Sequence, residues 1–361
     1  MRPVPDPDEQ EDPRLNLEPF GWSRSLDDDF APHAAAGLEP GRVAVQHRGG
    51  YLVLTRDGER AAEASGRLHH QAELGGLPVT GDWVAVRPAG DVAMIEAVLP
   101  RRTAFVRKAA GDATVEQVIA ANLDVAFLVA ALPDVNLRRL ERFLTAAWES
   151  GAQPVVVLTK SDLAPEPSGD VAAVAAVAPG VPIHVLSSAT GEGVDEVRAH
   201  LLPNRTAALL GISGVGKSSL VNRLLGEERQ AVAEVRGDGT GRHTTTQREL
   251  LHVPGGGLVL DTPGMREFAL WDAEAGLDET FDDVTELAAS CRFRDCRHET
   301  EPGCAVLAAV ADGRLPAGRL ESYRKLEREL AHLERRRDPR LQAEQRAEWR
   351  RIHREHRRSS S

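Results

Sequence analysis

The 361-residue chain has very little cysteine: three residues, all between positions 291 and 304. An odd and tightly clustered set argues against a disulfide framework and for a metal site. Long hydrophobic runs are missing too. The longest apolar stretches, such as Val125–Leu132, are far too short to span a bilayer. The opening MRPVPDPDEQEDPR is acidic and lacks the apolar core of a signal peptide. The expectation is a cytoplasmic protein with no membrane partner, and nothing suggests more than a monomer. Hydrophobic content is nevertheless 42%, enough for real cores, and the length suggests two or three domains.

The net charge of −11 is unevenly spread. Residues 1–40 hold ten acids and three bases, whereas residues 319–358 hold fourteen Lys or Arg against eight acids. An acidic head and a basic tail hint at a polyanionic partner at the C-terminal end. A solvated helix with i,i+4 ion pairs explains such a tail equally well.

Residues 1–38 carry many Asp, Glu and Pro without periodicity and read as a disordered acidic arm. Residues 39–108 read as an OB-like β-barrel, with five short alternating runs: GRVAVQH, YLVLT, ERAAEASGRL, DWVAV and DVAMIEAVL. Arg101, Arg102, Arg107 and Lys108 follow it as a basic rim. Over 109–275 strands alternate with helices, which predicts a parallel, doubly wound sheet. The strands are read at 122–132, 153–160, 182–188, 206–211 and 257–261, and helices at 137–150, near 170–178 and at 217–225. Residues 276–338 read as helical around the cysteine cluster, with a helix from about Ala317 to Arg337. Pro339 breaks it, and 339–361 form a basic tail.

Five short segments carry nucleotide chemistry. GISGVGKS (Gly211, Ile212, Ser213, Gly214, Val215, Gly216, Lys217, Ser218, with Ser219 next) fits G-x-x-x-x-G-K-[ST] between a strand and a helix. Backbone N–H groups of such a loop curl around phosphates at a helix N-terminus. Lys217 should reach the β- and γ-phosphates, and the Ser218 hydroxyl should hold Mg²⁺. DTPG follows a strand, so Asp261 is the expected Mg²⁺ partner and Gly264 can offer its N–H to the γ-phosphate. TKSD ends another strand: Asp162 can accept both N1–H and N2–H₂ of guanine, a pair that adenine lacks. Lys160 lies along the base, and Thr159 stands where Asn is usual, with Ser161 between. SSAT (Ser187, Ser188 and onward) is read as the guanine-supporting loop, with a backbone N–H, that of Ser188, meeting O6; alone it would be a simple turn. GTGRHTTTQ (239–247) suits a mobile switch loop, with Thr245, or Thr244 or Thr246, on Mg²⁺ and the γ-phosphate. TKSD and SSAT precede the P-loop, which is the reverse of ordinary small GTPases. The elements are cyclically shifted, a rearrangement tolerated when the old termini lie close together.

Cys291, Cys296, His298 and Cys304 read C-x₄-C-x-H-x₅-C. Three thiolates and one imidazole match a closed structural Zn²⁺ site. Arg292, Arg294 and Arg297 surround it with charge suited to RNA phosphate.

Over about residues 40–337 this combination resembles the circularly permuted GTPases of bacterial small-subunit maturation, the ribosome small-subunit-dependent GTPase A family. The resemblance rests on the barrel, QVIAANLD (117–124), TKSD, GISGVGKS, GRHTTT, DTPGMREF and the cysteine cluster. It implies a zinc-bearing cytoplasmic GTPase, stimulated by the 30S subunit and acting late in 30S assembly on 16S rRNA. It also fits His243, in the GxHTT loop, as the group that positions water. The residue after DTPG is Met265 rather than Gln, so another side chain must take that task. The competing readings are a signalling-type GTPase whose flanking modules bind a protein, and an RNA-binding zinc protein with a vestigial nucleotide site. Intact nucleotide elements disfavour the last.

Overall fold

The computed structural model describes residues 15–47, 49–71, 76–90, 92–108, 116–133, 135–226, 248–261 and 274–337. Five strands close the N-terminal barrel: β1 (Glu39–His47), β2 (Gly50–Thr55), β3 (Gly58–Ala64), β4 (Trp83–Arg87) and β5 (Ala93–Val98). They run in the order β1-β2-β3-β5-β4, and β4 pairs back onto β1. Only β3–β5 is parallel among these pairings. Alternate positions, including Val43, Val53, Ala62, Val84, Val86 and Ile95, fill the interior. The five strands fall where the five runs were read.

The reading of residues 1–38 as a disordered arm does not hold for 15–38. A 3₁₀ turn (Leu15–Phe20) leads into α1 (Arg24–Ala35). Leu17, Trp22, Leu26, Phe30 and Leu38 are buried against Trp83, Ala85 and Leu99 on the outside of the barrel. The Trp22 ring stands edge-on to Trp83 with centroids 4.9 Å apart. Leu26 and Phe30 are spaced four apart and so share one stripe of α1, and Trp22 packs beside them from just before the helix start. The acidic composition concealed that stripe because the acids occupy the other positions. Residues 1–14 and the 339–361 tail lie outside the described residues.

The barrel also ends earlier than residue 108. A helical turn, α2 (Gly66–Gln71), separates β3 from β4. The next strand, β6 (Ala104–Lys108), pairs with β7 (Glu116–Ala121) in a separate two-stranded sheet. A border at 108 therefore cuts a hairpin, because alternation marks a strand without saying which sheet it joins.

The central domain is built from β8 (Val125–Ala131), α3 (Leu137–Glu149), β9 (Gln153–Thr159), α4 (Ser168–Val177), β10 (Ile183–Val185), α5 (Val194–Ala199), β11 (Thr206–Leu210), α6 (Lys217–Leu225), β12 (Glu249–His252) and β13 (Leu258–Asp261). The strands lie in the order β10-β9-β8-β11-β13-β12. All are parallel except β12. Both faces are covered, so successive residues enter different cores. Val125, Phe127 and Val129 face the core shared with α5 and α6. Ala126 and Leu128 face the one shared with α3, α4 and the C-terminal helices. One residue pair, Val45 with Glu249, joins β12 to the barrel.

Two buried arginines lock the joints. Arg42 of β1 donates to Asn122 O at 2.9 Å and to Gly81 O at 3.3 Å, and also to Phe20 O. Burial draws its guanidinium down to about 10, against the opposing pull of Asp124 and Asp82. Asn122, in a left-handed turn, adds a bond from Nδ2 to Gly81 O at 3.2 Å. Asp124 accepts from Thr206 N at 2.7 Å and so fixes the start of β11. The NLD of QVIAANLD is thus the seam between barrel and sheet.

The C-terminal part holds α7 (Glu274–Thr280), α8 (Asp282–Ala288), α9 (Ala305–Ala311) and α10 (Ala317–Arg337), with no strand among the described residues after 276. Arg319 of α10 seats it on the central domain. Its guanidinium donates to Glu141 of α3 at 3.0 Å, to Asp283 at 3.0 Å and to Val177 O at 3.2 Å, and lies 4.4 Å from the Phe281 ring centre.

Candidate nucleotide site and metal centre

β11 ends in Leu210, and the chain turns at once into the glycine loop. A Cβ on Gly211 would lie 2.5 Å from Val129 O of neighbouring β8, so only glycine lets the loop sit this close. Gly216 has φ +95° and starts α6 in a left-handed conformation that favours glycine. Val215 is buried, while Ile212, Ser213 and Gly214 are exposed and Ser218 and Ser219 are half-buried. Lys217 Nζ donates to Gly211 O at 2.7 Å and to Ile212 O at 2.6 Å, which holds the ammonium over the loop.

TKSD lies beside this loop although 49 positions separate Asp162 from Gly211 in the sequence. Thr159, only 1% exposed, ends β9. Its hydroxyl lies 2.5 Å from Val215 O and 3.2 Å from Ala130 O. The threonine therefore ties the TKSD segment to the glycine loop across the end of β8, and its departure from Asn costs no tether. Lys160 follows in a left-handed conformation, φ 62°. Ser161 N donates to Leu186 O at 3.2 Å, and Ser187 Oγ donates to Asp162 Oδ1 at 2.5 Å. Ser187 is fully buried and accepts from Thr190 N at 3.2 Å, so it cannot drift. Ser187 of SSAT thus holds the Asp162 carboxylate in place. Ser188 Oγ is buried without a hydrogen-bond partner among the described residues.

Arg223 of α6 was missed by sequence reasoning. Its Nε donates to Ser188 O at 2.9 Å and its Nη2 to Ala189 O at 2.7 Å. A charged residue on an exposed helix face gives no sequence signal of such a role. The backbone of Asp261 is placed at the end of β13, beside β11. His243, Thr245 with Thr244 and Thr246, Gly264 and Met265 lie outside the described residues.

The four metal-ligand candidates converge. Their ligand atoms all lie within 4.8 Å of one another. Cys291 Sγ is 3.8 Å from Cys304 Sγ, and His298 Nδ1 is 3.6 Å and 3.4 Å from those two sulfurs. A tetrahedral ion with metal–sulfur bonds of about 2.3 Å needs sulfur–sulfur edges of about 3.8 Å. The residues fit such an ion, with His298 ligating through Nδ1. Cys304 also caps α9, accepting from Leu307 N at 3.4 Å.

Comparison with known proteins places these features in a family. The RsgA GTPase family matches residues 98–271, and a family described as 50S ribosome-binding GTPase matches residues 206–342. The small ribosomal subunit biogenesis GTPase RsgA of Opitutus terrae is 48% identical over 353 residues, covering 94% of this chain and 96% of that protein. The crystal structure of YjeQ from Thermotoga maritima superposes with a TM-score of 0.62 at 28% identity, covering 81% of this chain and 99% of that one. The structure of YloQ, described as a circularly permuted GTPase, gives 0.59 at 26% identity, covering 82% and 96%. The sheet order, the permuted site and these relatives agree, and the chain belongs to the RsgA family of circularly permuted GTPases.

Proposed function

We propose that the protein hydrolyses GTP to GDP and phosphate, is stimulated by the small ribosomal subunit, and serves late in 30S assembly by contacting 16S rRNA. The observation that carries the reading is the pair of contacts Thr159–Val215 and Ser187–Asp162, which gathers a permuted set of segments into one site. Asp162 accepts from N1–H and N2–H₂ of guanine, Lys160 lies along the base, and the Ser188 N–H meets O6. The N–H groups of Gly211–Ser219 hold the phosphates, and Lys217 reaches the β- and γ-oxygens. Ser218, Asp261 and Thr245 hold Mg²⁺, which neutralises charge on the transferred phosphoryl group. Gly264 contacts the γ-phosphate, and His243 positions the attacking water in the absence of a Gln after DTPG.

The Cys₃His cluster holds one structural Zn²⁺; three thiolates and an imidazole leave no open position for catalysis. Cytoplasmic location and a monomeric state complete the reading. Among the described residues no helix is long and apolar enough to cross a membrane. A signalling-type GTPase with a protein partner is not favoured, because the relatives are named for ribosomal subunit biogenesis. The two matching families carry different ribosomal descriptions, which sets the test: GTP turnover alone, with purified 30S subunits and with 50S subunits. Slow turnover alone and stimulation of at least tenfold by 30S only is expected. Equal stimulation by both subunits, or none, would overturn the partner.

A further inference from the structure

We propose that Arg223 is a positioning residue for guanine recognition: it locks the Ser187–Thr190 loop to the helix that carries the phosphate cradle. The inference rests on the guanine site proposed above.

Two guanidinium nitrogens grip two consecutive carbonyls, those of Ser188 and Ala189, at 2.9 Å and 2.7 Å. A planar, delocalised fork on adjacent carbonyls fixes two peptide planes at once, which a flexible ammonium cannot do. A peptide N–H points opposite to its own carbonyl. Fixing the 188 and 189 carbonyls therefore fixes the direction of the Ala189 and Thr190 N–H groups and restrains the loop around the Ser188 N–H. Gly191 closes the same loop, and a Cβ there would lie 3.7 Å from Arg223 Cζ, so the arginine packs along the turn as well as bonding to it.

The helix beneath the arginine is itself held. Arg198 of α5 donates to Leu224 O at 3.0 Å and to Arg223 O at 3.3 Å, taking up carbonyls that the end of a helix leaves unpaired, and it reaches Pro254 O at 3.1 Å. Lys217 and Arg223 stand six positions apart on α6, about 9 Å along its axis at 1.5 Å per residue. One rigid rod thus presents a phosphate ligand at its start and a brace for the base loop near its end. The loop has three supports: Ser187 reaches Asp162, Ser161 N reaches Leu186 O, and Arg223 holds the far side.

The test is steady-state hydrolysis and equilibrium binding in the full-length protein with Arg223→Met and Arg223→Lys, with Asp162→Asn as a control. Arg223→Met keeps the stem and removes the donors. Its KM for GTP is expected to rise at least fivefold while kcat moves less than twofold, and its preference for GTP over ATP should fall by a similar factor. Arg223→Lys should fall between. A general loss of structure would lower kcat and melting temperature together, which this split distinguishes. An unchanged KM and nucleotide preference in Arg223→Met would overturn the proposal; if that variant fails to fold, the same result in Arg223→Lys would overturn it. Asp162→Asn separates the two levels of inference. If it leaves the GTP preference intact, the guanine site itself is wrong. If it abolishes the preference while both Arg223 variants behave as wild type, only the brace is wrong.

Discussion

In the proposed guanine site, Asp162 owes its selectivity to what surrounds it. Ser187 donates to one carboxylate oxygen and is itself fully buried, so the carboxylate is held at a fixed angle. Guanine offers two donors to that acceptor, whereas xanthine carries a carbonyl in place of the 2-amino group. An amide at position 162 would present a donor to that carbonyl and lose one acceptor for guanine. Asp162→Asn should therefore weaken GTP by at least about thirtyfold and strengthen xanthosine triphosphate. Each buried polar mismatch costs roughly 1–3 kcal/mol, and two are made here. Competition binding with the two triphosphates reads it, and unchanged GTP affinity would remove Asp162 from the base site. Thr159 carries a different lesson at the same scale. A shorter side chain than Asn still reaches Val215 O, because β9 ends close enough to the glycine loop for a hydroxyl to bridge. The sequence marks the substitution, but only the strand order tells why it is tolerated.

Among the elements, the edge of the parallel sheet carries its own pH dependence. His184 on β10 and His200 just after α5 meet through their Nε2 atoms at 2.7 Å. One ring must donate and the other accept, so at least one must be neutral. Burial holds both below the ordinary value of 6.5; Glu196 opposes this at His184, while His184 and Arg205 add to it at His200. The unfolded chain consequently binds more protons in the interval below 6.5, and stability rises with pH there. It is fully present above about pH 6.5 and is lost as acid is added. The melting temperature should fall between about pH 7.5 and about pH 5.5, and His200→Asn should flatten that slope; an equal slope in the variant would exclude the pair. Nothing in the local pattern announces this contact, and the same holds for much that sequence reasoning left out. The P-loop, TKSD, the barrel strands and the helix 217–225 are legible because each is set by neighbours in the chain: a glycine spacing, an alternation or a helical period. Strand β12 has four residues and α5 has six, too few for a period to appear. Arg42 and Arg319 are 1% and 4% exposed, yet a charged residue reads as surface until its partners are known. Those partners come from segments far away in the sequence, so they were out of reach.

At the scale of the molecule, the Cys₃His cluster sits where the short C-terminal helices most need support. Helices α7, α8 and α9 have seven residues each, well short of what persists unaided in water. They are held by the long α10, by the seat that Arg319 makes on α3, and by the loop from Cys291 to Cys304. That loop runs as irregular turns from Cys291 to Cys304, and the ligand residues converge within it. Ligands of this kind couple metal binding to folding, so removal of one should release the loop and the start of α9, where Cys304 serves as cap. The nucleotide segments lie on β9, β11 and their loops, away from the cluster in the chain and braced by their own contacts. Cys296→Ser should therefore purify with less than one zinc per chain and melt at a lower temperature, yet bind GDP within about threefold of wild type. Stimulation by 30S subunits should be lost, because the released loop carries Arg292, Arg294 and Arg297, the charges suited to RNA phosphate. Metal analysis, calorimetry, GDP titration and stimulated turnover measure the four outcomes. A variant that loses zinc but keeps full stimulation would show that the module acts elsewhere than at the ribosome, and one that loses GDP binding would show that the two domains fold as one.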